Sequence, residues 1–400
     1  MNLVVDYPKT TFNQINPAIL FLAFGQTLAW ACLYYIFPAM LLRWETNLEW
    51  SKVDLTLGIT LALFTSAIFS PVAGKILDKD KGNLLLFISA VIGGSGLLML
   101  SSITTIFQFY IIWLIIGFSM AGCLYEPCFA LITKYRGQRA RQDIILITLT
   151  AGFASTICFP ITHVIANMYD WRTTVTIFGL IVIFVAAPLL LIGSTIIKNH
   201  GSNPITKSET QSNAKNTSFF RNPTIYYLAI CFLLLALVHG TIINHLLSIL
   251  SERGYATNIA ILAASCIGVM QVFGRLVLLF SDKYFSNQNF NKIVLLGMVT
   301  SVAFLLISGS SNYMLFLFII LFGSTYGMIS ILRPIITKEL LGYKNFGLKS
   351  GYLGGTYLIG TATAPYFGSL IWKYYGYQNL ILILTILSVI SWAVYLKANQ

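Results

Sequence analysis

Apolar residues in this chain do not alternate with polar ones at helical or strand spacing. They come in long, nearly unbroken runs. Twelve follow one another, at 17–42, 53–77, 84–103, 106–133, 143–168, 173–197, 224–250, 258–281, 291–309, 312–337, 350–372 and 378–396. Each is close to or above the roughly 20 residues that carry an α-helix across a bilayer. Most of the polar intervals between runs are too short for a soluble domain. The exception is 198–222, which contains GSNPITKSETQSNAKNTS and has too little apolar content to fold by itself. The pattern predicts an all-α membrane protein of twelve transmembrane helices. It divides into an N-terminal six-helix bundle (1–197), a linker (198–222) and a C-terminal six-helix bundle (223–400).

The halves repeat one design. Asn16-Pro17 opens the first span and Asn222-Pro223 the seventh, each an N-cap side chain followed by a proline at the first helical position. Asp78-Lys79 ends the second span and Asp282-Lys283 the eighth. Glu126-Pro127 in the fourth span matches Arg333-Pro334 in the tenth, and Pro160 matches Pro365; these correspondences recur at offsets of 204–207 residues. Six spans per copy is an even number, so both copies enter from the same side as parallel repeats around a central cavity.

Composition agrees: 57% of the 400 residues are hydrophobic and 10% charged, against about 25% charged in a soluble domain. The net charge of +12 is a topological signal. With the N-terminus in the cytoplasm, 18 of the 25 Lys and Arg fall on the cytoplasmic side, five fall on the other, and Arg275 and Arg333 stay inside spans. That bias places both termini in the cytoplasm and argues against nucleic acid as a partner. It fits a multi-pass protein of a bacterial inner membrane. All six cysteines lie within spans, without disulfide or zinc spacing. No phosphate-binding loop occurs, and no nucleophile, acid and base cluster, so no enzymatic activity, cofactor or metal is expected.

Twelve spans in a 6+6 arrangement with a central linker resemble the major facilitator superfamily of secondary transporters. The end of the second span, Gly74-Lys75-Ile76-Leu77-Asp78-Lys79-Asp80-Lys81-Gly82, resembles that superfamily's loop signature Gly-x-x-x-Asp-Arg/Lys-x-Gly. It departs after Lys79, because Lys81 stands where Gly is usual and Gly82 comes one residue late. Gly74, Asp78, Lys79 and Asp282, with Arg275, are the expected gating or loop residues. AGFASTICFPITHVI (151–165) and HLLSILSERGY (245–255) resemble members near the monocarboxylate and oxalate/formate branch.

The resemblance implies that spans one, four, seven and ten line the cavity. Glu126 and Arg333 sit there at matching repeat positions. A charge at mid-membrane costs at least about 2.5–3.5 kcal/mol, so it faces a cavity or a partner. The two are expected to face one another across the cavity and join the halves when the cytoplasmic side closes; alternatively Arg333 receives an anionic substrate. Arg275 is the competing partner for Glu126, or snorkels to the headgroups. Gln26, Trp30 and Tyr34 share one face of span one, and Tyr326, Ser330 and Arg333 one face of span ten. His239 and His245 point about 120° apart, and His245 is preferred because it lies in the branch-like segment. Trp44 and Trp50 read as interfacial anchors.

These residues predict a secondary transporter of a small solute, most simply a small organic anion such as a monocarboxylate, acting by alternating access. Glu126 is the candidate proton carrier, and the single chain is the expected functional unit. The competing functions are efflux of amphipathic drug-like compounds and a membrane nutrient sensor without flux.

Overall fold

A backbone in hydrocarbon must satisfy every N–H and C=O internally, and runs of this length do so as helices. The computed structural model describes residues 16–200, 222–281, 287–309, 311–342 and 346–399. Most of the expected linker, and Asp282, lie outside the described residues. Ten helices match the first ten runs: α1 (Pro17–Leu48), α2 (Lys52–Asp78), α3 (Gly82–Leu100), α4 (Ile106–Arg136), α5 (Gln142–Met168), α6 (Trp171–Asn199), α7 (Pro223–Glu252), α8 (Thr257–Leu278), α9 (Asn289–Ile307) and α10 (Asn312–Leu341). The last apolar helix, Lys349–Ala398, has 50 residues. Straight, it would measure about 75 Å, more than twice the hydrocarbon core. Gly376, at φ 75° and ψ 170°, divides it. We number the two parts α11 (349–375) and α12 (377–398).

The repeat is visible in local chemistry and in packing. Asn16 Oδ1 accepts from the Ala18 amide and Asn222 Oδ1 from the Thr224 amide, both at 3.0 Å, and each precedes a proline that needs no donor. In the first six helices, α4 packs on α2 and α3, α1 on α5 and α6, and α3 on α6. In the second six, α10 packs on α8 and α9, α7 on α11 and α12, and α9 on the same hairpin. Glycine makes the tightest of these pairings possible: a Cβ on Gly274 of α8 would collide with the Ser324 backbone of α10.

The structure has two unlike ends. The near end carries the α2–α3 loop, the start of α7 and the end of α12; the far end carries the α1–α2 and α11–α12 connections. At the far end the halves are sealed. Thr56 Oγ1 on α2 donates to Ser369 Oγ on α11 at 2.7 Å. Lys52, 5% exposed, lies 3.8 Å from the centroid of the Trp372 ring and 5.1 Å from that of Tyr377, with Glu45 Oε2 at 3.4 Å. Trp372 Nε1 is held in turn by Glu252 Oε2 at 2.7 Å. A cation from the first half is thus lodged in an aromatic box of the second. At the near end α2 and α11 present glycine faces: among the described residues, a methyl group on Gly74, Gly351, Gly354 or Gly355 would touch nothing within 4 Å.

Trp44 does not anchor at an interface. It is fully buried, 5.5 Å from Phe109, 5.7 Å from Phe37 and 6.4 Å from Trp171. Such a cluster gains more by packing than a single indole gains at a headgroup.

The Lys52 contact predicts a measurable seal. Maleimide labelling of a Thr56→Cys reporter should run about 5- to 30-fold faster when Lys52→Ala is added, the shift for roughly 1–2 kcal/mol of desolvated cation–π attraction. Unchanged labelling would mean that Lys52 does not hold the far end shut.

Candidate functional site

Two helix irregularities build the middle of the molecule. In α1, residues Trp30–Tyr35 form a π-helical segment, a geometry frequent at functional sites because it re-aims side chains. It brings Tyr35 in beside Trp30 and Tyr34. In α4 the helix stops at Leu124, whose φ of −82° and ψ of −160° are extended, and restarts at Tyr125. The break leaves carbonyls without helical partners, and Gln26 Nε2 donates to Cys123 O at 2.7 Å. Glu126 and Pro127 fall in the first turn of the restarted helix. A carboxylate suits its partly positive end, and proline lacks only an N–H that has no helical acceptor there. This is why the pair sits in an apolar run.

Aromatic rings from both halves meet around these irregularities. Trp30 and Tyr125 lie 4.8 Å apart, and Tyr125 stacks on Phe129 at 4.8 Å and 17°. Tyr34 packs on Trp30 at 5.3 Å and on Tyr35 at 5.2 Å. Across the cleft, the His239 ring lies 4.7 Å from Tyr326, and the Arg333 guanidinium carbon lies 3.6 Å over Tyr357. Several buried polar atoms here have no hydrogen-bond partner: Gln26 Oε1, Trp30 Nε1, both His239 nitrogens, Asn244 Oδ1, Gln271 Nε2 and Arg333 Nε. Buried polar atoms are normally paired, so these carry hydrogen-bonding capacity that the described residues do not use.

Several sequence expectations change. Glu126 is exposed and forms no ion pair with Arg333 or with Arg275 among the described residues. Arg275 neither snorkels nor reaches a loop. It is 5% exposed and donates to Thr148 O on α5 and Gly327 O on α10, so it bridges the halves through backbone carbonyls. His245, preferred as the cavity histidine, is fully buried. Its Nε2–H donates to Pro365 O at 2.8 Å and its Nδ1 accepts from Tyr377 Oη at 2.9 Å, the assignment a carbonyl partner requires. It braces α7 against the α11–α12 hairpin, and His239 is the histidine with free nitrogens. Ser330 donates to Gly327 O of its own helix.

In the α2–α3 loop, Asp78 and Lys79 are exposed. Asp80, at φ 57°, is the carboxylate that holds the loop. Lys134 Nζ reaches Asp80 Oδ1 at 2.7 Å and Leu77 O at 2.8 Å; Tyr135 Oη donates to Asp80 Oδ1 at 2.7 Å, and Lys198 Nζ to Asp80 O at 2.7 Å. The hydrogen bonds from Lys134 and Tyr135 hold the Asp80 carboxyl below the usual range.

Two matching six-helix groups, with spans long enough to cross a bilayer, define an integral multi-pass membrane protein. The chain belongs to the Major Facilitator Superfamily, whose sequence profile matches residues 19–341. A curated relative, MFS transporter asaE of Aspergillus flavus, is 23% identical over 306 residues, 74% of this chain; the match spans about 65% of that protein's length. Among solved structures, the nucleoside transporter NupG superposes with a TM-score of 0.73 at 15% identity, over 96% of this chain and 100% of its own. A bacterial homologue of the human lysosomal transporter Spinster, inward-facing and unoccupied, gives 0.67 at 14% identity, over 96% of each chain.

The loop geometry separates two neighbouring carboxylates. Tryptic cleavage after Lys79 or Lys81, read by mass spectrometry, should rise in Asp80→Asn and stay at the wild-type rate in Asp78→Asn. Because the folded Asp80 titrates below its unfolded value, its contribution is present above the ordinary aspartate range and lost as pH falls through the folded value. Equal cleavage in the two variants would remove Asp80 from this role.

Proposed function

We propose that the chain is a secondary transporter of a small organic anion, with Arg333 as the group that receives the substrate carboxylate. One observation carries this reading. The Arg333 guanidinium carbon lies 3.6 Å from the centroid of the Tyr357 ring, its Nε is buried without a partner among the described residues, and no carboxylate among them is within ion-pair distance. A ring face steadies the guanidinium, a group that takes a carboxylate through two parallel hydrogen bonds. Arg275 competes less well, because it is 5% exposed and its Nε and Nη1 are held by the carbonyls of Gly327 and Thr148.

Transport runs by alternating access, each six-helix group moving as a unit around the central cleft. The positive-inside bias supports a cytoplasmic near end, and with that orientation the sealed far end faces outward. Glu126, exposed and without an ion pair among the described residues, is the proton carrier of a proton-coupled symporter or antiporter. The setting is a bacterial inner membrane with both termini inside, the working unit is a single chain, and the branch is that of the monocarboxylate and oxalate/formate carriers. The aromatic walls favour a second reading, efflux of amphipathic compounds, which neutral hydrophobic dyes as substrates would support.

In proteoliposomes, Arg333→Ala should weaken carboxylate uptake about 10- to 100-fold, the loss of a charge-assisted hydrogen-bonded pair, with partial recovery in Arg333→Lys. Glu126→Gln should leave exchange intact and abolish the response to an imposed pH gradient. Wild-type uptake that ignores the gradient would end the proton role, and undiminished uptake by Arg333→Ala would end the anion reading.

A further inference from the structure

The ring systems beside Arg333 are not accounted for by recognition of a carboxylate alone. A short aliphatic acid would satisfy the guanidinium edge and leave the aromatic faces around it against water. On the first half, Trp30, Tyr125 and Phe129 make a continuous shelf, with successive centroids at 4.8 Å and each ring only partly buried. On the second half, Tyr357 lies under Arg333, and Tyr326 stacks on Phe322 at 11°. Tyr34, 4% exposed, packs on Trp30 at 5.3 Å and extends the first wall. The shelf is also wired for a polar edge. Trp30 Nε1 is an unpartnered donor, and Gln26 Oε1 and Asn244 Oδ1 are unpartnered acceptors, with Gln26 0% and Asn244 2% exposed.

We infer that the transported anion is an aromatic carboxylate. Its carboxylate sits on the Arg333 edge, its ring lies against the Trp30–Tyr125 shelf, and a polar ring substituent meets Gln26, Trp30 or Asn244. This rests on the anion reading above and narrows it. Planar rings are selected because stacked or edge-to-face pairs add to simple burial. A saturated ring of the same size gains the burial without that addition. Each ring pair is worth about two- to tenfold in affinity.

The test uses the full-length protein in nanodiscs, with benzoate, 4-hydroxybenzoate, cyclohexanecarboxylate, acetate and benzamide as calorimetric probes. Benzoate should bind about tenfold or more tighter than cyclohexanecarboxylate and acetate, and 4-hydroxybenzoate tighter still. Trp30→Leu and Tyr125→Leu should each bring the benzoate-to-cyclohexanecarboxylate ratio toward one, and Trp30→Phe should restore it. Cyclohexanecarboxylate or acetate binding as well as benzoate would overturn the aromatic assignment and leave the anion reading standing. Benzamide binding as well as benzoate, or no carboxylate binding at all, would overturn both. The ratios in the unmodified protein decide the matter even if a variant fails to fold.

Discussion

Everything in this molecule turns on how a fixed positive charge is tolerated among apolar spans. Two arginines lie within the bundle, and no carboxylate neutralises either among the described residues. The solutions differ. Arg275 is solvated by backbone carbonyls from α5 and α10, so its charge is spent on holding helices of the two halves together. Arg333 is steadied by a ring face and keeps hydrogen-bonding capacity in reserve. A buried donor left unpaired is costly, and Arg333 carries that cost through Nε where Arg275 does not.

The cleft is formed by irregularities in helices that are otherwise regular. Irregular backbone at membrane depth is tolerated where it lines a cavity. The break at Leu124 supplies the carbonyl that Gln26 holds, and it sets Glu126 at the start of a new helical segment. The π segment in α1 sets Tyr35 against Tyr34 and Phe159. Remove either irregularity and the same side chains would point elsewhere on a straight helix.

Topology was legible from run length, because hydrocarbon thickness and helical rise leave little choice. The repeat was legible from paired caps and prolines. Gln26, Trp30 and Tyr34 were found because their spacing of four is helical. Tyr35 was missed because the segment beyond Trp30 is not an α-helix, and Tyr125 because nothing in the local sequence announces an extended residue at Leu124. Glu126 and Arg333 were paired on paper because they occupy equivalent repeat positions. Equivalence in a repeat fixes depth and helix, but it does not bring side chains within contact. The loop was misread by two residues for a related reason: Asp78 fits the motif, but the left-handed turn at Asp80 carries that carboxylate back to Lys134. His245 looked functional in sequence and proved to be a brace, since only tertiary structure reveals that both its nitrogens are occupied.

The two ends of the cleft are built from different materials. Breaking the far end withdraws an ammonium group from indole and phenol rings and returns it to water. At the near end the glycine faces of α2 and α11 carry Lys75 and Lys349 beside them. Any parting of the far end therefore depends on the hydration of a lysine, and temperature and dissolved salt must act on that step.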